Sequence, residues 1–376
     1  MAPSPKKSTI ARIIVAAGPE SADARWLTGF SAPDPFGVAV APNGAVHLFV
    51  NVLEAGRAHK EAKPGVQIHV IEGRLGDEIV RWARATHLRA VGAAPTLPFG
   101  IARAMENAGI RVQLLEGVTP CVGRLVKTDD EIACIQKAQR AAVAAVRRAR
   151  DILAESSIGA ASVLRWHEKT LTSERLRNEM ENVLRAHGCA SDDGLIAAGG
   201  RQAACPHENG HGPLRAGEAI VLDVFPHHRA SGYWGDLTRT LMKGPPKNPR
   251  IYEMYAAVLA TQKLALSLIR PGVAGHDVHQ AAASALAEFG FPLDTSVPGR
   301  EKGMFHGLGH GVGLDIHEEP RLSPSAKAIL SEGNVVTVEP GLYDPAVGGI
   351  RIEDTVVVRP DGPQILAACP RDMIVP

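Results

Sequence analysis

Apolar positions recur along this chain in two rhythms, one of strand length and one of helical spacing, and their order divides the sequence. In the first third, apolar runs at Ile10 to Ala17, Gln67 to Ile71 and Arg111 to Leu115 alternate with helix-period stretches near Asp77 to Ala85 and Phe99 to Ala108. Val38 to Ala41 and Ala45 to Asn51 flank the turn Pro42-Asn43-Gly44 and predict a hairpin. Strands alternating with helices predict a small α/β domain on a mostly parallel sheet. No GxGxxG follows any of these strands, so a dinucleotide site is not expected there.

A sharp helix start follows at Thr128-Asp129-Asp130-Glu131, the pattern in which the Thr128 hydroxyl accepts from the Glu131 amide and Glu131 reaches back. Ile132, Ile135, Ala142, Val143 and Val146 then recur at helical spacing and predict one buried face. This places a domain boundary near Leu125, with residues 1–125 as the small domain and 126–376 as a larger one. In the larger part, a helical stretch at about Thr172 to Ala186 leads into strand-like runs at Ala219 to Phe225 and Leu237 to Lys243. Helical stretches at Pro249 to Ile269, stopped by Pro271-Gly272, and Asp277 to Phe289, stopped by Gly290, lead into Asn334 to Val338 and Ile350 to Arg359. Helices followed by a strand pair, twice over, predict a pseudo-duplicated α+β domain around one central sheet.

Composition narrows the function more than the fold. A length of 376 residues suits two domains, and 45% hydrophobic with 22% charged residues is ordinary for a globular chain. Lys+Arg 41 against Asp+Glu 40 leaves a formal charge of +1, with no electrostatic footprint for nucleic acid or an anionic membrane. No apolar run approaches the ~18 residues of a membrane span. The basic start Met-Ala-Pro-Ser-Pro-Lys-Lys precedes an apolar stretch too short for a secretory leader. Cys121, Cys134, Cys189, Cys205 and Cys369 are scattered without a CxxC, which reads as reduced thiols in a cytoplasm.

Each strand pair of the larger domain carries two acids in apolar surroundings. The first is Ile220-Val221-Leu222-Asp223-Val224-Phe225 with Gly235-Asp236-Leu237; the second is Val335-Val336-Thr337-Val338-Glu339-Pro340 with Ile350-Arg351-Ile352-Glu353-Asp354. A single such acid reads as a strand-end cap or an ion pair. Four at matching places do not, because buried carboxylates need a partner or a metal. Two like charges ~4 Å apart repel by about 4 kcal/mol at an effective dielectric of 20. Arg351 shares a strand face with Glu353, but one arginine cannot balance four acids. A divalent cation can.

Histidine would complete a mixed nitrogen and oxygen site, and Phe305-His306-Gly307-Leu308-Gly309-His310-Gly311-Val312-Gly313-Leu314-Asp315-Ile316-His317-Glu318 supplies three within twelve residues. Its glycines allow close backbone approach, and their density excludes a helix. His207-Glu208-Asn209-Gly210-His211 matches HExxH, yet that zinc motif needs a helix. Pro206, the turn dipeptide Asn209-Gly210 and Gly212-Pro213 deny one. The neighbouring Cys205 reads as a bystander.

The ordered set Asp223, Asp236, His310, Glu339 and Glu353 resembles the five-ligand dinuclear site of the pita-bread-fold metallopeptidases, in the Xaa-Pro aminopeptidase and Xaa-Pro dipeptidase (prolidase) branch. The matching segments are Val-Leu-Asp223, Gly-Asp236-Leu-Thr-Arg-Thr, His306-Gly-Leu-Gly-His310 with His317-Glu, Val-Glu339-Pro-Gly and Arg351-Ile-Glu353-Asp. The first domain is similar to the creatinase/prolidase type at Trp26-Leu27-Thr28-Gly29-Phe30. The resemblance implies an α+β pita-bread catalytic domain behind a smaller α/β domain, and two divalent metal ions that activate water for attack on a peptide carbonyl. It implies that Asp223 binds one metal, that Asp236 and Glu353 bridge both, and that His310 and Glu339 complete the other. Glu339 also resembles the group that passes a proton to the leaving amine. His207 resembles a substrate-side histidine. His306 and His317 resemble the histidines flanking the metal-binding one, which bind substrate and steady the tetrahedral intermediate, with a purely structural hydrogen bond as the other reading of His306. Arg351 is placed either at the substrate or behind Asp236 or Glu353.

The activity implied is removal of an N-terminal residue from small peptides, before proline. A broad aminopeptidase of the same fold is one alternative, and a metal-free binding protein a remote one. The donor set leans to Mn²⁺, with Co²⁺, Zn²⁺ or Fe²⁺ open. A homodimer is the implied assembly. The loop from Asp223 to Asp236 is two residues longer than in the tightest relatives, and its His227, His228 and Arg229 are either solvated or line the cleft.

Overall fold

A computed structural model of the chain describes residues 10–18, 21–115, 121–192 and 194–376. The basic start of the sequence lies outside them. The chain forms two compact units, Met1–Arg124 and Leu125–Pro376.

The first unit runs β1 (Ala11–Gly18), α1 (Ala22–Thr28), β2 (Ala32–Val40), β3 (Val46–Asn51), α2 (Val52–Glu61), β4 (Gln67–Ile71), α3 (Leu75–Ala85), β5 (Ala90–Ala93), α4 (Phe99–Asn107) and β6 (Arg111–Leu114). The sheet order is β4-β3-β2-β1-β5-β6. Three of its pairings are parallel, as the alternation predicts, and the hairpin inserts β2 antiparallel between β1 and β3. Successive side chains point to opposite faces. Ile13, Ala39 and Phe49 therefore pack with Ile79, Trp82 and Met105 on one side, while Ile14, Val38 and Leu48 pack with Ala24 and Ala58 on the other.

One face of this sheet carries a histidine pair. His47 Nδ1 lies 3.0 Å from His69 Nε2, and His47 packs against Trp82 at 4.9 Å between ring centroids. Burial holds both imidazoles below their ordinary range, and His69 adds to the effect on His47. Unfolded histidines take up protons near pH 6.5, ahead of these two. Their contribution to stability is therefore complete above about 6.5 and is lost as pH falls from there through the lower folded values. The expected result is a denaturation midpoint that drops between pH 7.5 and 5.5 in the wild type and drops less in His47→Leu. An unchanged pH dependence in the variant would refute this.

In the second unit, α5 (Asp129–Glu155) starts at the predicted capping box, with Thr128 and Glu131 bonded reciprocally. Ile132, Ile135, Ala142, Val143 and Val146 are all buried. Helix α5 and α6 (Ser173–Ala186) cover a four-stranded sheet of Ile196–Gly199, Ile220–Val224, Leu237–Lys243 and Ile374–Val375. Helices α7 (Arg250–Leu268) and α8 (Gly275–Glu288) cover a five-stranded sheet that includes Gly309–Gly311, Val335–Val338 and Asp354–Arg359. Each buried Leu, Ile or Val side chain in these layers contributes about 1.5–3 kcal/mol. The repeat of helices over a strand pair is thus as expected, but two sheets replace the one central sheet. The predicted strand Ile350 to Arg359 is correspondingly split. Gly348–Arg351 pairs with Gly341–Asp344 in a ribbon, and Asp354–Arg359 joins the five-stranded sheet. Between them the Glu353 amide donates to Thr238 O at 3.0 Å, which ties the two sheets together at that point. Among the described residues no helix is long and apolar enough to cross a membrane.

Candidate metal centre

The acids converge where the two sheets meet. Asp223 lies in its strand opposite Thr238, and the Thr238 hydroxyl stands 2.8 Å from both Asp223 Oδ1 and Glu353 Oε2. Asp236, His310 and Glu353 each offer a ligand atom within 4.8 Å of the others, and all three residues are buried. His310 Nε2 lies 3.5 Å from Asp236 Oδ2 and 3.5 Å from Glu339 Oε1.

The glycines beside His310 do what close approach requires. A Cβ on Gly309 would fall 2.0 Å from Thr337 O, and one on Gly311 2.4 Å from Glu319 O. Only glycine lets the Gly309–Gly311 strand seat its histidine between those neighbours. His310 Nδ1 meets Gly311 O at 3.1 Å, so it carries the ring proton and leaves the Nε2 lone pair facing the acids.

The electrostatics suit a cation. Burial first, then Glu353, Asp223 and Glu339, push Asp236 well above the usual carboxylate range. Burial, Glu339 and Asp223 do the same to Glu353. Burial, with the Asp223 charge, raises Glu339 to about 8. Burial, with His317 beside it, lowers His310 to about 3. Each shift disfavours the charge that the group would carry, and a divalent cation reverses the sign for the acids. Glu353 Oε1 is buried without a hydrogen-bond partner. An orphaned acceptor beside a neutral imidazole nitrogen and a second carboxylate fits a divalent metal well.

Arg351 is buried, and its guanidinium bonds Asp223 Oδ2 at 2.7 Å and the Tyr343 hydroxyl at 2.9 Å. The contact expected behind Asp236 or Glu353 falls on Asp223 instead, because Arg351 ends the ribbon strand and Glu353 lies past the break. The Tyr343 hydroxyl donates in turn to His306 Nε2 at 2.9 Å, while His306 Nδ1 donates to Gly307 O at 2.7 Å. Both ring nitrogens of His306 are therefore engaged within the protein. Burial, with Arg351, lowers it to about 4. His207 and His317 are exposed, with His317 edge-on to His310 at 4.4 Å. The HExxH segment forms no helix: Gln202 bonds both the amide and the carbonyl of His211, and Arg177 bonds Gly210 O at 2.6 Å. His227 is buried against Trp234 at 4.9 Å and lies 3.6 Å from Asp192 Oδ2, and His228 meets Ser231 Oγ at 2.8 Å, so both contribute contacts around their loop.

Three supporting residues escape sequence reading. Gln139 of α5 donates to Asp236 O at 2.7 Å and accepts from its amide at 2.7 Å. Its signal is a polar residue on an otherwise apolar helical stripe. Thr238 and Tyr343 show only as polar side chains in buried strands.

Helix-backed sheets meeting at a carboxylate-rich, histidine-completed centre make a candidate metal site. Residues 133–360 match metallopeptidase family M24, and residues 6–125 match the creatinase/prolidase N-terminal domain. The chain belongs to family M24, with the pita-bread fold. It is 28% identical over 373 residues to an Xaa-Pro dipeptidase of Pyrococcus horikoshii, covering 98% of this chain and 95% of that one. It is 31% identical to Xaa-Pro aminopeptidase 2 of Streptomyces coelicolor, over 69% of this chain and 61% of the other. The solved Xaa-Pro dipeptidase of Bacillus anthracis superposes with a TM-score of 0.82 at 25% identity, covering 97% of this chain and 95% of that one.

Proposed function

We propose that this metallopeptidase is a two-metal exopeptidase that releases the N-terminal residue of small peptides ahead of proline. The observation that carries it is the convergence of Asp236, Glu339 and Glu353 on the His310 imidazole, with Asp223 joined to Glu353 through the Thr238 hydroxyl and the exposed His317 edge-on to His310. In this reading Asp223 holds one ion, Asp236 and Glu353 hold both, and His310 and Glu339 hold the other. Two divalent cations there supply Lewis-acid polarisation and a water acidic enough to ionise near neutrality.

The chain's own residues do the rest. Glu339 takes the proton of the attacking water and returns it to the departing amine. His207 and His317 face the substrate and orient its scissile bond. His306 and Arg351 act through Tyr343 and Asp223, fixing the acid that would otherwise turn away. Residues 126–376 form the catalytic domain and 1–125 an accessory one. The enzyme works as a cytoplasmic homodimer with Mn²⁺, whose preference for oxygen donors suits four carboxylates, ahead of Co²⁺, Zn²⁺ or Fe²⁺.

The test is hydrolysis by metal-stripped protein with Mn²⁺ restored, on an Xaa-Pro dipeptide, an Xaa-Pro-Xaa tripeptide and the matching Xaa-Ala tripeptide. Proline substrates are expected to react about 10- to 100-fold faster, the range a shaped apolar pocket provides. The two lengths separate dipeptidase from aminopeptidase. Equal or faster cleavage of the alanine peptide would keep the metallopeptidase and remove the proline requirement.

A further inference from the structure

Lys127 is a cation at the wrong end of a helix. It directly precedes the Thr128 cap of α5, where the helix dipole disfavours positive charge, and the acidic first turn, Asp129 to Glu131, offers it local partners. It turns inward instead. Its ammonium donates to Glu318, 191 residues away, and the two side chains are only 1% and 5% exposed. The Lys127 amide donates to Gly333 O at 2.9 Å, which anchors the stem of the side chain.

Glu318 begins the strand Glu318–Leu322 and pairs across from Gly311, next to the metal-facing His310. Room for its carboxylate comes from Gly313, where a Cβ would fall 2.5 Å from Glu318 Oε1. His317 is the last residue of the bend that leads into this strand, exposed and edge-on to His310, so the buried Glu318 anchors the backbone directly after it.

From this arrangement we infer that the Lys127–Glu318 pair is a positioning device for His317. A buried ion pair is often no more stabilising than an apolar pair of the same shape, so its burial is poorly explained by stability alone. What it does supply is direction. The ammonium fixes one carboxylate orientation, and with it the start of the strand from which the preceding His317 emerges. The inference rests on the hydrolytic reading of the centre, in which His317 orients substrate.

The experiment is a mutant cycle in Mn²⁺-loaded full-length protein, assayed on an Xaa-Pro dipeptide with metal content measured in parallel. Lys127→Met is expected to lower kcat about 100-fold, the scale of an ångström of misplacement, with metal content at the wild-type level. Lys127→Arg should recover most of the rate. Lys127→Met with Glu318→Leu, which removes both charges of the pair together, should recover the melting temperature but not kcat. On a His317→Ala background the Lys127→Met loss should largely vanish, because the two act through one side chain. Additive losses on that background, or wild-type kcat in the paired apolar variant, would overturn the inference. If the wild type cleaves none of the peptides, the hydrolytic reading fails, and ¹⁵N shifts of the His317 imidazole decide the pairing separately. They should move in Lys127→Met, and unmoved shifts would overturn it.

Discussion

Asp236→Ala is expected to abolish metal loading and peptide hydrolysis while leaving the metal-free protein more stable than the metal-free wild type. The loss of function follows from position. Asp236 is one of the three residues whose ligand atoms lie within 4.8 Å of one another, so its removal breaks the group. The fall in kcat/KM should be on the order of 10³-fold or more, at least what removing one stabilising donor costs in a water-excluded site. The gain in stability follows from the same geometry. Burial and the Glu353, Asp223 and Glu339 charges all act against an ionised Asp236. Each such neighbour at contact distance is worth up to about 4 kcal/mol of repulsion at an effective dielectric of 20, before the groups adjust by taking up protons. The tethers that hold this segment survive the substitution because they reach the backbone: Gln139 bonds its amide and carbonyl, and Thr355 Oγ1 bonds its carbonyl at 2.7 Å. Thermal melts in chelator, with metal content measured beside them, read both effects. A variant that kept full turnover would sink the assignment of the centre, and a less stable metal-free variant would sink the electrostatic account of it.

The same conflict between stability and function explains why the acids could be read from sequence. A carboxylate in a run such as Val-Val-Thr-Val-Glu339 is costly to bury, so its presence there points to a ligand. The capping box of α5 was legible because it is a local device complete within four residues. Helix α2 was not, because its stripe is reversed: Val52 and Leu53 are 72% and 79% exposed while Glu54 is buried. Strand β5 was too short and too poor in large apolar residues, at Ala-Val-Gly-Ala, to stand out. The division into two sheets was hidden for another reason. Ile350 to Arg359 reads as one continuous strand, and only its partners, Gly341–Asp344 on one side and Val335–Val338 on the other, break it at Glu353. Arg351 likewise reaches Asp223 across 128 residues of sequence, a contact set by the packing of two sheets and by nothing local.

Glu339→Gln separates holding metal from moving protons. Among the acids with side chains at the centre, Glu339 is the more open, 19% exposed against 15% for Asp223 and 7% for Asp236. It directly follows its strand, and its backbone is fixed independently by donation to Leu308 O at 2.9 Å. That combination of a held backbone and an accessible carboxylate suits a group that exchanges protons with water. Glutamine keeps the shape and an oxygen donor but cannot take up the proton. The expected outcome at saturating Mn²⁺ is a kcat lowered by about 10²–10⁴-fold, the usual worth of a positioned acid–base group, with KM little changed. Metal content measured at the same Mn²⁺ concentration should match the wild type. Rescue of kcat by excess Mn²⁺ would assign Glu339 to metal holding alone, and the proton would then have to leave by another residue. A loss that persists at full metal content places Glu339 on the path of the proton, because the one property removed is its basicity.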